Sequence, residues 1–164
     1  MGRFVSAAPD AIRTRNPRYP VDRVVIHTVQ GSLQSALAWF AKPGRDVPTA
    51  AHYVIGEDGE IVQMVPDDKK ALHAGSKTQS GWNDRSIGIE HAGWVDDGKP
   101  PTEAALAASA KVTAIMCRKF GIPADRTHVI GHVEVPGATH TDPGKEWPWD
   151  HYMALVQAEL AALG

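Results

Sequence analysis

The chain has a single cysteine, Cys117, in 164 residues, so it can close no internal disulfide and build no cysteine-based zinc site. Cys117 falls in Ala114-Ile115-Met116-Cys117 on a helical pattern, where a thiol packs as a small hydrophobe rather than acting as a nucleophile. Charge of one sign is also lacking. A formal net charge of -2 gives no electrostatic footprint for a nucleic-acid partner. No apolar run approaches the length of a membrane span, and the stretch Met1 to Asp10 is too short in apolar residues for a signal peptide. Internal repeats, low-complexity segments and a second domain are absent from the pattern as well. What remains is ordinary globular usage, 43% hydrophobic and 22% charged, which predicts one compact domain. A monomer is the expected state, though composition does not determine it.

The richest stretch runs from Gly131 to Gly144, Gly-His-Val-Glu-Val-Pro-Gly-Ala-Thr-His-Thr-Asp-Pro-Gly. His132 and Asp142 stand ten positions apart, and Pro136-Gly137 between them cannot continue a helix or a central strand. The segment must loop, which allows both side chains to reach one point. A third ligand has to come from elsewhere, and His27 ends the apolar run Val24-Val25-Ile26, as a side chain presented at the tip of a buried strand would. Two neutral imidazoles and a carboxylate make a three-ligand catalytic zinc set with a fourth position left for water. Asp142 before Pro143-Gly144 equally suits an Asx-type turn, so both readings stand for it.

Residues 1–20, rich in Arg and Pro without periodicity, read as an irregular lead-in over the surface of a domain spanning residues 21–164. Arg23 to Thr28 predicts a strand. Ser32 caps a helix carrying Leu33, Ala36, Leu37 and Phe40 on one face until Pro43-Gly44. Residues 51–55 and 60–65 flank Gly56-Glu57-Asp58-Gly59, a hairpin signal. Residues 76–85 read as a loop and 86–91 as a strand, whose Gly88 implies a close backbone approach. A long helix over about 102–120, a short strand over 128–131 and a last amphipathic helix, led into by Trp147-Pro148-Trp149-Asp150 and running to about Leu163, complete the chain. Interleaved strands and helices with one hairpin predict an α/β domain with a mixed central β-sheet flanked by helices.

Glu90, at the exit of the strand over 86–91, is placed either to pair with a surface cation or to act as a general base. His140 is either solvated or a donor to a developing oxyanion. His73 in Leu72-His73-Ala74-Gly75 is the histidine best placed to line a cleft among those without a ligand argument. Trp82, with Asn83 beside it in the loop, suits either a wall for a sugar or peptide or packing beneath that loop.

Taken together, Val24-Val25-Ile26-His27-Thr28, Ala51-His52-Tyr53-Val54-Ile55, Asp58-Gly59-Glu60-Ile61-Val62-Gln63, His73-Ala74-Gly75, Asn83 to Glu90, and Gly131-His132 through Thr141-Asp142-Pro143-Gly144 resemble the type-2, zinc-dependent N-acetylmuramoyl-L-alanine amidases. Peptidoglycan recognition proteins and many phage endolysins are relatives of that family. The likeness spans roughly residues 21–160 with the motifs in family order. It implies that His27, His132 and Asp142 hold Zn²⁺ and that Glu90 is the catalytic base. Beside these, His73, Trp82 and Asn83 are expected from their own sequence context to border the substrate groove. Two departures stand out. Ala51 occupies a place where some relatives have a catalytic Tyr, and His140 occupies the place of a Lys two residues before the Asp. Histidine performs the same oxyanion-stabilising work only while it keeps a donor proton aimed at the substrate.

The resemblance implies hydrolysis of the amide joining N-acetylmuramic acid to L-alanine in peptidoglycan, whose glycan strand and stem peptide are then the partners. A non-catalytic peptidoglycan-binding module and an enzyme cutting within the stem peptide are the competing readings. The expected place of action is the cell wall, reached as a phage lysin released through the host's lysis machinery or by secretion through parts outside this chain.

Overall fold

A computed structural model describes residues 2–75 and 81–164. Among them, six strands form one mixed sheet in the order β1-β5-β4-β7-β3-β8: β1 (Arg3–Phe4), β3 (Arg23–Thr28), β4 (Tyr53–Ile55), β5 (Ile61–Gln63), β7 (Ser86–His91) and β8 (Val129–Gly131). The central strands β4, β7, β3 and β8 are mutually parallel, and β5 returns antiparallel to β4 across the Gly56–Gly59 turn. A separate antiparallel ribbon pairs β2 (Ile12–Thr14) with β6 (Lys69–Ala71). Three helices pack on the sheet: α1 (Leu33–Ala41), α2 (Glu103–Phe120) and α3 (Trp149–Ala162). The α/β class read from the sequence holds. Of the loop predicted over 76–85, residues 76–80 lie outside the described residues.

Strand alternation divides the sheet into two faces. Val24, Ile26, Ile87, Ile89, Tyr53 and Ile55 bury against α2 and α3 with Leu106, Met116, Tyr152 and Val156 in the main core. The opposite face carries Val54, Val62 and Met64 under α1, and Val25 and Ile130 beside Ala74 and Trp82. Two of these helices, α1 and α2, start at capping side chains. Ser32 accepts from the Ser35 N–H, and Thr102 Oγ1 from the Ala105 N–H. Cys117 is buried in the α2 face of the core, and burial pushes its thiol up to about 11, as befits a packing residue.

The lead-in differs from the sequence reading. Arg3–Phe4 adds to the sheet edge beside β5, Ile12–Thr14 pairs with β6, and Ala7, Ala8 and Ala11 are buried. Strands of two and three residues are too short to show the period-2 alternation that betrays longer ones, and the same holds for β6. Arg15, directly after β2, reaches inward. Its guanidinium donates to the carbonyls of Asp67, Asn83, Asp84 and Ser86, tying the lead-in to the loop that precedes β7.

His52 shows how tightly this underside is closed. Its Nδ1 accepts from the Gly88 N–H at 3.0 Å and its Nε2–H donates to the Lys69 carbonyl at 3.0 Å. Burial, and after it the Arg15 guanidinium, pushes the imidazole down to about 3 from 6.5. The unfolded chain therefore takes up a proton as pH falls below about 6.5, while the folded chain does not until about 3, so stability is lost on acidification across that window. The expected slope from this group is about 1.4 kcal/mol per pH unit. Urea unfolding at about pH 6, 5 and 4 should show that slope in the wild type and a flatter one in His52→Gln. Equal slopes would refute the assignment.

Candidate active site

The register of the parallel strands builds the site. His27 on β3 pairs with Glu90 on β7, and Ile26 pairs with Gly131, the last residue of β8, so His132 follows directly beside His27. Three functional side chains thus come from the carboxyl ends of three adjacent strands, where open parallel sheets place their sites. Gly131 sits at a close approach. A Cβ there would meet Pro143 Cδ at 2.6 Å, so only glycine lets the Asp142-Pro143 segment lie against the end of β8. The Val133 N–H donates to the Asp142 carbonyl at 3.0 Å, which closes the loop on itself.

His27, His132 and Asp142 converge, with one potential ligand atom of each lying within 4.8 Å of the others. Asp142 spans both rings, Oδ2 at 3.1 Å from His27 Nδ1 and Oδ1 at 3.1 Å from His132 Nδ1. The outer nitrogens are engaged elsewhere. His132 Nε2–H donates to the Ala74 carbonyl at 3.2 Å, and His27 Nε2 lies 2.9 Å from His73 Nδ1. Both rings therefore offer Nδ1 to the same point as the carboxylate. His27 is 1% exposed, and burial lowers its pKa despite Asp142. Two imidazoles and a carboxylate meeting with their lone pairs on one point fit a divalent zinc ion, with second nitrogens hydrogen-bonded as metal-bound histidines require.

Glu90 stands beside this trio with Oε1 3.9 Å from His27 Nδ1. Its Oε2 is buried and has no hydrogen-bond partner among the described residues. Burial first, and the Asp142 charge second, push its carboxyl well above the usual carboxylate range. His140 is exposed and stacks on His132, ring centroids 5.0 Å apart and planes 12° from parallel. His27, His73, Glu90, His132, His140 and Asp142 all border one cleft of about 1080 Å³.

The remainder of that cleft lies along α1 and the loop after it, a wall that the sequence reading did not find. Trp39 is 56% exposed there, and the Arg45 guanidinium sits 4.2 Å from its ring centroid. A tryptophan off the apolar face of a short helix was the available signal. Trp82 and Asn83, expected to border the groove, are not among the described residues lining it. Trp82 is buried with Val25 and Ile130, and Asn83 Oδ1 accepts from the backbone N–H groups of His73 and Ala74 at 2.9 and 2.8 Å. His91 points to the opposite face, donating or accepting at Ser109 Oγ beneath α2, because it follows Glu90 by one residue on the strand.

Residues 17–145 match the family model described as N-acetylmuramoyl-L-alanine amidase. This chain belongs to the N-acetylmuramoyl-L-alanine amidase family. It is accordingly a hydrolase. The amidase is 33% identical over 151 residues to N-acetylmuramoyl-L-alanine amidase A of Achromobacter lyticus, with 81% of each chain covered. It is 40% identical over 110 residues to the 1,6-anhydro-N-acetylmuramyl-L-alanine amidase AmpD of Citrobacter freundii, covering 65% of this chain and 57% of that protein's length. Among solved structures, a selenomethionine derivative of AmpD superposes with a TM-score of 0.81 at 29% identity, covering 94% of both chains. That match extends the shared fold to nearly the whole amidase. No helix among its described residues is long and apolar enough to cross a membrane.

Proposed function

We propose that this amidase uses a zinc ion held by His27, His132 and Asp142 to hydrolyse the amide between N-acetylmuramic acid and the L-alanine of the stem peptide in peptidoglycan. The observation that carries the reading is the convergence of one ligand atom each from His27, His132 and Asp142 within 4.8 Å, beside a buried carboxyl oxygen of Glu90 with no hydrogen-bond partner among the described residues. When bound, zinc supplies a lowered pKa for water and polarisation of the amide carbonyl. Glu90 accepts the proton of the attacking water at Oε2 and returns it to the departing amine, which leaves poorly while unprotonated. His140, at the exposed side of the cleft, donates to the developing oxyanion in the place where relatives carry a lysine. The wall of Trp39 and Arg45 provides an apolar and cationic surface along which a peptide carrying carboxylates extends. The wall of the bacterial cell is then the place of action.

The test is digestion of purified peptidoglycan and of soluble muropeptides, with and without a chelator, followed by mass analysis. Peptides beginning with L-alanine should appear, vanish on chelation and return with zinc. Cleavage inside the stem, or binding without release after zinc is restored, would overturn the reading.

A further inference from the structure

We infer that His73 is a positioning residue that fixes the tautomer of the ligand His27, through a directed hydrogen-bond chain anchored at Ser86 and the Trp82 carbonyl. This rests on the zinc reading given above for His27. The chain runs from His27 Nε2 to His73 Nδ1 at 2.9 Å, from His73 Nε2 to Ser86 Oγ at 2.9 Å, and from Ser86 Oγ to the carbonyl oxygen of Trp82. Its direction follows from donor and acceptor counts. A carbonyl oxygen only accepts, so the one hydroxyl proton of Ser86 is spent on Trp82. Ser86 Oγ must then accept from His73 Nε2–H. A neutral imidazole carrying its proton on Nε2 has a bare Nδ1, which accepts from His27 Nε2–H. The consequence at the far end is a lone pair on His27 Nδ1, the atom that faces Asp142. The reverse direction would leave the Trp82 carbonyl without its donor and place a proton on the nitrogen needed for the metal.

The surroundings hold the His73 ring to this task. All three members of the chain are buried. The His27 and His73 rings meet nearly at right angles, 86°, with centroids 5.1 Å apart. A Cβ on Gly88 would lie 2.5 Å from His73 Cγ and 2.7 Å from its Nδ1, so the ring occupies the space that a side chain at position 88 would need. From the other side, Asn83 Oδ1 suspends the backbone N–H groups of both His73 and Ala74. Ala74 completes the pattern, since its carbonyl accepts from His132 Nε2–H. One dipeptide, His73-Ala74, thereby orients both histidine ligands. For His132 an acceptor-only carbonyl suffices, whereas His73 has two possible tautomers and requires Ser86 to select one.

Two measurements test this. In nitrogen-15 spectra of the wild-type protein, His73 should show the Nε2–H tautomer, in both the metal-free and the zinc-loaded forms. An Nδ1–H tautomer would overturn the proposal. In competition titrations against a chromophoric chelator, His73→Phe, verified as folded by its melting transition, should bind zinc about 10–100-fold more weakly than wild type. Ser86→Ala should weaken it in the same direction and give a mixture of His73 tautomers. Unchanged zinc affinity in a folded His73→Phe would refute the positioning role while leaving the amidase reading intact. A wild type that binds no zinc would instead strike at the proposed function, and the tautomer spectrum of that metal-free protein would still decide the chain's direction. If His73→Phe does not fold, the wild-type spectrum and Ser86→Ala carry the decision.

Discussion

Glu90→Gln is expected to slow hydrolysis of the muramoyl–alanine amide by about 10²–10⁴-fold while the protein folds and binds zinc as the wild type does. The geometry makes the two halves of that expectation separable. Glu90 Oε2 has no hydrogen-bond partner among the described residues, so glutamine of the same volume breaks no contact there. The ligand atoms belong to His27, His132 and Asp142, none of which uses Glu90 for orientation. What glutamine lacks is a basic oxygen in a site where burial and the Asp142 charge raise proton affinity. The check is the rate of peptide release by mass analysis, paired with a zinc titration and a melting curve. Hydrolysis near the wild-type rate would remove Glu90 from the mechanism.

Asp142→Ala should have the second large effect, because it removes the group that spans both histidines. With its two oxygens at 3.1 Å from His27 Nδ1 and His132 Nδ1, Asp142 is the carboxylate that touches both rings, whereas Glu90 Oε1 lies 3.9 Å from His27 Nδ1. The loss of the metal's charge stabilisation is worth several kcal/mol in the transition state, so activity should fall about 10³-fold or more. Stability supplies an independent readout. A ligand present at about 100 times its dissociation constant stabilises the folded state by about 2.7 kcal/mol. A chelator should therefore lower the melting temperature of the zinc-loaded wild type and leave that of Asp142→Ala unchanged. A variant that still hydrolyses the amide in a chelator-sensitive way would show that Asp142 is no ligand.

Much of the site was legible in the chain because its members sit at ends of elements. His27 closes a β-branched run, Glu90 closes another, and His132 follows a third, so each is announced by the strand before it. Asp142 was announced only by its turn, and the resemblance to known amidases decided between a turn role and a metal role. Gly88 was read as a close approach, and the His73 ring is what approaches. The lead-in was misread because its strands are too short to show an alternation, and its half-buried Arg15 looked like any other arginine in a basic stretch. Trp82 and Asn83 were placed on the groove by their loop position. In the fold one packs under that loop and the other holds the backbone of His73-Ala74.

Composition and local pattern limit the chemistry available to this chain: one thiol that cannot serve an internal disulfide, no charge excess for a polyanion, and a carboxylate and two imidazoles at strand ends and in a Pro-Gly loop. Local pattern suffices for that, since hydrophobic period and turn residues act over a few positions. Which nitrogen of each histidine faces Asp142 is a matter of tertiary packing, because it depends on partners 46 and 58 residues away along the chain. Tertiary packing also decided that the cleft continues along α1 to Trp39 and Arg45. Donor and acceptor assignments are properties of packed neighbours, and strand register is what brings His27, Glu90 and His132 into one row.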